Sequence, residues 1–334
     1  MPVMEPITTL LLFALPLILG LGGLLAHGHA GVASARQHAL VAMLAVALAA
    51  GMVALFAGFG GDDITAAQIT RGAFAITVAQ LIAAPLLDRS RLLGLILATL
   101  LGTYAVFYTL VNGLPNFLPP LPHAGWLLAA LLCAALIGLV GSAALPMHPA
   151  RQPVDGLPRM QPFSAWRLIG LILLALGVVI LAWAMEPETL PRAMLLSSVT
   201  AALAGVLLAP PPYRIARAAE GMLAGLLIAL MAQGDAQGIA AGLAAAVAVA
   251  RGGAVASSLQ LDDPAHVVGA VLCPTLLGLL WPGLMDWTQL APYLHWVGCT
   301  LALGIAIGLV VWPLAKLSFG LEASARSIRE GLDS

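Results

Sequence analysis

Apolar residues along this chain do not alternate with polar ones; they run on. Eleven stretches, roughly 6–26, 38–59, 66–87, 91–112, 124–147, 166–186, 190–209, 214–233, 236–256, 265–285 and 292–318, are almost free of charge. Each is close to the ~20 apolar residues needed to span bilayer hydrocarbon as a helix. They are too long for barrel strands and lack the period of two that barrel strands need, so the pattern predicts helices throughout. The connections are short and rich in Pro, Gly and charge. No linker divides the chain, and we expect one membrane domain over 1–318 followed by a tail over 319–334.

Composition agrees. The 334 residues are 61% hydrophobic and 9% charged, against about 25% charged in a soluble domain. Mean hydropathy is +1.01. The apolar N-terminal run lacks a basic flank, so it reads as a first spanning helix rather than a secretory signal. Lys and Arg set the orientation. With the N-terminus outside, Arg36, Arg89, Arg91, Arg151, Arg159, Arg167, Arg214, Arg217, Arg251, Lys316, Arg326 and Arg329 face the cytoplasm, and only Arg71 and Arg192 lie outside. This split predicts N-out, C-in.

A net charge of −1 gives no electrostatic basis for binding nucleic acid. Cys133, Cys273 and Cys299 are far apart within apolar runs and fit small buried hydrophobes rather than a metal site. The histidines of HGH, His27 and His29, with His38 flank the first short loop. Two histidines at i, i+2 are weak evidence for a metal. No cofactor motif, phosphate loop or nucleophile–base pair is present, which points away from an enzyme.

Several strings carry a resemblance. Residues 16–60, PLILGLGGLLAHGHAGVASARQHALVAMLAVALAAGMVALFAGFG, have a glycine-bearing first helix, a short basic loop and a second helix ending in an FG turn. Residues 219–233 read AEGMLAGLLIALMAQ. Residues 238–264 read GIAAGLAAAVAVARGGAVASSLQLDDP and end in an acidic pair, and the tail contains EGLD. In this order the strings resemble the ammonium transporter/Rh family over nearly the whole chain. The resemblance implies an all-α polytopic fold of eleven transmembrane helices: a 5+5 inverted repeat around a pore, with a peripheral helix 11. It also implies a trimer, homomeric or heteromeric, and a PII-type regulator meeting the cytoplasmic loop 148–165 and the tail. A bacterial inner membrane is the expected location.

The same resemblance locates candidate pore residues. In PHAGWLLAA, residues 122–130, Ala124 and Gly125 match the family's helix 5 motif, but its entrance acid becomes Pro122 and its pore histidine becomes Ala130; His123 falls at the outer mouth. In helix 10 the aspartates Asp262 and Asp263 suit a helix N-terminus, where carboxylates are favourable by about 0.3–1 kcal/mol each and accept free backbone N–H groups. The family histidine is expected about two turns further on. At about 1.5 Å per residue, His266 lies only ~4.5 Å beyond Asp263, at the interface, whereas Val271 lies ~12 Å in. Ungapped, the register gives Val271 the pore position and aligns Gly278 with a family glycine; a five-residue gap would give the position to His266. In TRGAFAITVAQLI, residues 70–82, Phe74 matches one of two stacked gate phenylalanines. The other falls near Leu181, and the outer cation cradle near Asn112 and Met185.

Two charged positions remain. Glu220 lies in helix 8 near the cytoplasmic mouth, where an ionisable group within a membrane helix suggests function; pairing with Arg217, three residues earlier, is the structural alternative. Arg71 stands one turn from Phe74, where it either repels an entering cation or anchors the helix at the interface. These observations leave two functional expectations. One is a channel or transporter for ammonium, ammonia or another small solute. The other is a non-conducting sensing or regulatory protein of the same fold.

Overall fold

The structure is a computed structural model that describes residues 4–30, 36–58, 66–110, 118–145, 164–185, 190–259, 261, 263 and 265–320. Eleven helices lie among them: α1 Met4–Gly28, α2 Arg36–Gly58, α3 Ala66–Ala83, α4 Leu92–Tyr108, α5 His123–Ala143, α6 Ala165–Met185, α7 Leu190–Leu208, α8 Arg214–Ala229, α9 Gly234–Ser258, α10 Cys273–Met285 and α11 Leu290–Phe319. They correspond one for one to the eleven apolar runs. Within bilayer hydrocarbon only a helix satisfies its own backbone groups, so long apolar runs have little choice of conformation. Among the described residues five helices are long and apolar enough to cross a membrane by themselves. The charged α8 is short, with 16 residues.

The helices pack as two similar halves. In the first, α2 and α1 pack on α3, α2 on α4, and α3 on α5; in the second, α7 and α6 pack on α8, α7 on α9, and α8 on α10. The halves meet mainly where α1 crosses α6, and again where α5 meets α10. Five helices per half reverse the direction of the chain at the start of the second half. The packing is therefore what an inverted repeat requires, and it was not visible in the sequence. Helix α11 lies outside both halves against α5, α4 and α10.

Leu17, Leu48, Leu203, Leu207, Leu309 and Leu317 are exposed on the outer surface, as suits contact with lipid tails. Inside, alanine dominates, and two of the buried threonines turn their hydroxyls back on their own helix: Thr99 donates to Leu95 O at 2.9 Å and Thr275 to Val271 O at 2.8 Å. This satisfies the hydroxyl without an interhelical partner.

Indole N–H groups tie the peripheral helix down. Trp312 Nε1 of α11 donates to Ile137 O of α5 at 2.6 Å, and Trp296 Nε1 donates to Pro119 O at 2.7 Å while its ring meets Trp126 edge-on at 5.0 Å. Trp312→Phe removes one such bond from a buried site. It should lower stability by about 1–2 kcal/mol, on the scale of interhelical hydrogen bonds in membranes, as read by thermal unfolding in detergent.

The turn between α3 and α4 is also buried, because Arg89 closes it. Its guanidinium donates to Ser142 Oγ at 2.7 Å, Pro85 O at 3.1 Å and Leu145 O at 3.3 Å, fastening α3 to the end of α5. His38 Nε2 lies 2.9 Å from Ser90 O in the same turn. By contrast, Arg192 and Asp235 form a 2.9 Å ion pair with side chains 81% and 47% exposed. Arg192→Ala should change stability by less than about 1 kcal/mol, since exposed pairs are screened.

Candidate functional site

Ala130 on α5, Leu181 on α6 and Val271 at the head of α10 are all buried and belong to one continuous apolar cluster. Gly278 of α10 allows a close approach there: a Cβ on it would lie 2.9 Å from Leu128 of α5 and 3.0 Å from Leu227 O of α8. Phe74 packs against the same cluster, but its aromatic partner is Phe107 of α4, edge-on at 5.6 Å. No aromatic stands at Leu181 to stack with it. Buried aliphatic side chains thus stand at the positions where the resemblance places histidines and a second phenyl ring.

The head of α10 differs from the helix expected to start at the acidic pair. Leu261, Asp263, Ala265 and His266 are not helical; a π turn, Val268–Leu272, comes next, and α10 follows from Cys273. The helical-rise estimate of depth from Asp263 therefore does not apply across this lead-in. Asp263 works as a cap: Oδ1 accepts from Val267 N and Oδ2 from Val268 N, both at 2.8 Å. Those N–H groups would otherwise be unsatisfied at the start of the turn. His266 has φ of 54°, the one positive φ at a non-glycine among the described residues. Its ring is partly buried.

The polar chemistry gathers at the end of the bundle where α6, α8 and α10 begin. Glu220 is 2% exposed and accepts from two arginines: Arg167 of α6 on Oε1 and Arg217 of α8 on Oε2, both at 3.0 Å. Arg167 also donates to Ala265 O at 3.3 Å, and Arg217 to Val249 O of α9 at 3.3 Å. Arg217 Nη1 lies 3.2 Å from His266 Nδ1. His266 Nδ1 also lies 3.8 Å from Glu220 Oε2.

Arg217 as a partner of Glu220 follows from the i, i+3 spacing, but Arg167 had entered only as a charge that sets orientation. One signal was available for both. Each sits in the first turn of a helix, where a cation opposes the macrodipole, so each needed a compensating anion. Arg71, His123 and Met185 have side chains outside the described residues, and Asn112, Asp262 and the tail beyond Gly320 also lie outside them. Pro122 is exposed at the opposite end of the bundle. There it borders a cleft of about 420 Å³ with Gln233, Pro282 and Tyr293. Among the described residues no His, Cys, Asp and Glu group suits a metal ion.

No family model matches the chain, and no curated protein sequence does. Solved structures do match. A mutant of Mep2 from Candida albicans superposes with a TM-score of 0.77 at 14% identity, covering 98% of this chain and 95% of that one. A structure described as a sensor Amt protein gives 0.76 at 13% identity over 99% and 98%. Rh50 of Nitrosomonas europaea, described as a channel of the Rhesus family, gives 0.70 at 18% identity over 94% and 89%. With its apolar helices and this end-to-end likeness, the chain is an integral membrane protein with the fold of the ammonium transporter and Rh proteins.

Proposed function

We propose that this protein forms a route through the bilayer for a small uncharged solute of the ammonia kind and does not pass ammonium as a cation. The observation that carries this is the buried aliphatic set Ala130, Leu181 and Val271 where the resemblance calls for two histidines and a phenyl ring. A cation at the bilayer centre is disfavoured by about 2.5–3.5 kcal/mol even on the mildest scales, and these side chains offer neither a lone pair nor an aromatic face to offset that. A neutral gas needs neither. The proposal includes a trimer in a bacterial inner membrane, oriented N-out and C-in by its arginines, with loop 148–165 and the tail available to a PII-type regulator.

The test is a pair of measurements on liposomes holding the purified protein: ammonium-evoked current and ammonia-driven change of internal pH. A pH change faster than in empty liposomes, without current, is the expected result. A saturable current would overturn the proposal. Silence in both would favour a second reading, a sensing or regulatory protein, to which the likeness to the sensor Amt structure lends weight.

A further inference from the structure

The lead-in to α10 combines features that rarely occur together without a purpose. His266 holds a left-handed backbone conformation that its Cβ disfavours. The π turn that follows is a device frequent at functional sites. Strained conformations persist only where the surroundings impose them, and here the surroundings are two guanidiniums. Arg167 reaches from α6 to Ala265 O, and Arg217 reaches from α8 to His266 Nδ1. Both are brought there by one buried carboxylate, Glu220. Val271, the candidate pore residue, lies inside the π turn itself.

We propose that Asp263 and residues 265–272 form a strap closing the apolar route at this end of the bundle, and that Glu220 is the positioning residue that latches it through Arg167 and Arg217. The proposal rests on the route running past Val271. The physical sequence is short. Without its charge, Glu220 no longer offsets the repulsion between the two guanidiniums. They separate, and Ala265 and His266 lose their donors. The backbone at His266 relaxes out of φ 54°, and the extra residue of the π turn is released. Converting that turn to α-helix shifts the register by one residue, which turns the residues on its two sides by about 100° relative to one another and moves Val271, inside the turn, from its buried position.

The test uses the full chain in liposomes, with Glu220→Gln as the variant. Hydrogen exchange is followed at the amides of Val267, Val268 and Ala270, which are bonded to Asp263 and His266. In parallel, V271C is placed in a C133A/C273A/C299A background and its labelling by N-ethylmaleimide is timed with and without Glu220→Gln. We expect both rates to rise at least tenfold, with faster exchange confined to the strap. Arg217→Gln, which leaves the Arg167–Glu220 pair intact, should shift both in the same sense by less, and it stands in if Glu220→Gln does not fold. Unchanged labelling overturns the proposal. So does exchange that rises along the whole of α6 and α8, because Glu220 would then merely hold the fold together. Faster labelling in liposomes that pass no ammonia, with or without the substitution, would uphold the strap and sink the solute reading. Unchanged labelling in liposomes that do pass ammonia would do the reverse.

Discussion

Ala130→His combined with Val271→His should give this protein an ammonium-evoked current at least ten times that of the wild type. Both positions are buried within one apolar cluster, and α5 packs directly against the turn that carries Val271. Two imidazoles there would supply what the aliphatic pair lacks: a lone pair to accept a proton and an N–H to pass one on. Each ring is larger than the side chain it replaces, and overpacking a core costs about 1–3 kcal/mol. The variant therefore has to be shown folded by size exclusion and thermal unfolding before its current is read. Each single substitution should fall well short of the double, because one imidazole cannot hand a proton to a partner. A folded double variant no faster than wild type would mean that the route does not pass between α5 and the head of α10. That outcome would remove the observation on which the solute reading stands.

Gly170→Leu should disrupt the molecule more than any single change on its lipid-facing surface. At the crossing of α1 and α6 a Cβ on Gly170 would run into the backbone at Ala26 and Leu25. The crossing is tight elsewhere too: a Cβ on Gly22 would lie 2.9 Å from Leu174 N, and one on Gly177 would meet Leu19. Side chains can rotate out of a clash, but a helix backbone has to move as a body. The loss should exceed about 3 kcal/mol, beyond the usual range for overpacking, and appear as a lower unfolding temperature followed by tryptophan fluorescence. Gly298→Ala is the matched control. A Cβ there meets nothing within 4 Å, and exchanging an interior helical glycine for alanine favours the helix by up to about 1 kcal/mol. If Gly170→Leu unfolds where wild type does, the α1–α6 crossing is not the seam that joins the two halves.

The two substitutions test parts of the molecule that were unequally legible in the sequence. Ala130 and Val271 were reached by matching short strings, and the register at Val271 left His266 as a competitor. In the structure they are different kinds of residue: Val271 is buried inside the π turn, while His266 is half exposed in the lead-in and faces an arginine. Gly170 drew no attention in the sequence, because one glycine in an apolar run looks like any other until a second helix lies across it.

What the sequence determined by itself was the set of helices. The run from 91 to 112 became Leu92–Tyr108, and the run from 292 to 318 became Leu290–Phe319. Bilayer thickness and the need to satisfy backbone groups act on one segment at a time, so each helix could be read without knowing its neighbours. The pairing of Glu220 with Arg217 was within reach for the same reason, since three residues along a helix is a local distance. What only the tertiary structure decided are the contacts between distant segments. Arg167 lies 53 positions from Glu220 and 98 from Ala265. Phe74 found Phe107 rather than a partner on α6. The lead-in to α10 is a capped approach to a π turn, with a left-handed residue at His266, and arginines from α6 and α8 reach it. Apolar periodicity cannot encode such contacts: it says which faces avoid water, and in a membrane protein nearly every face does.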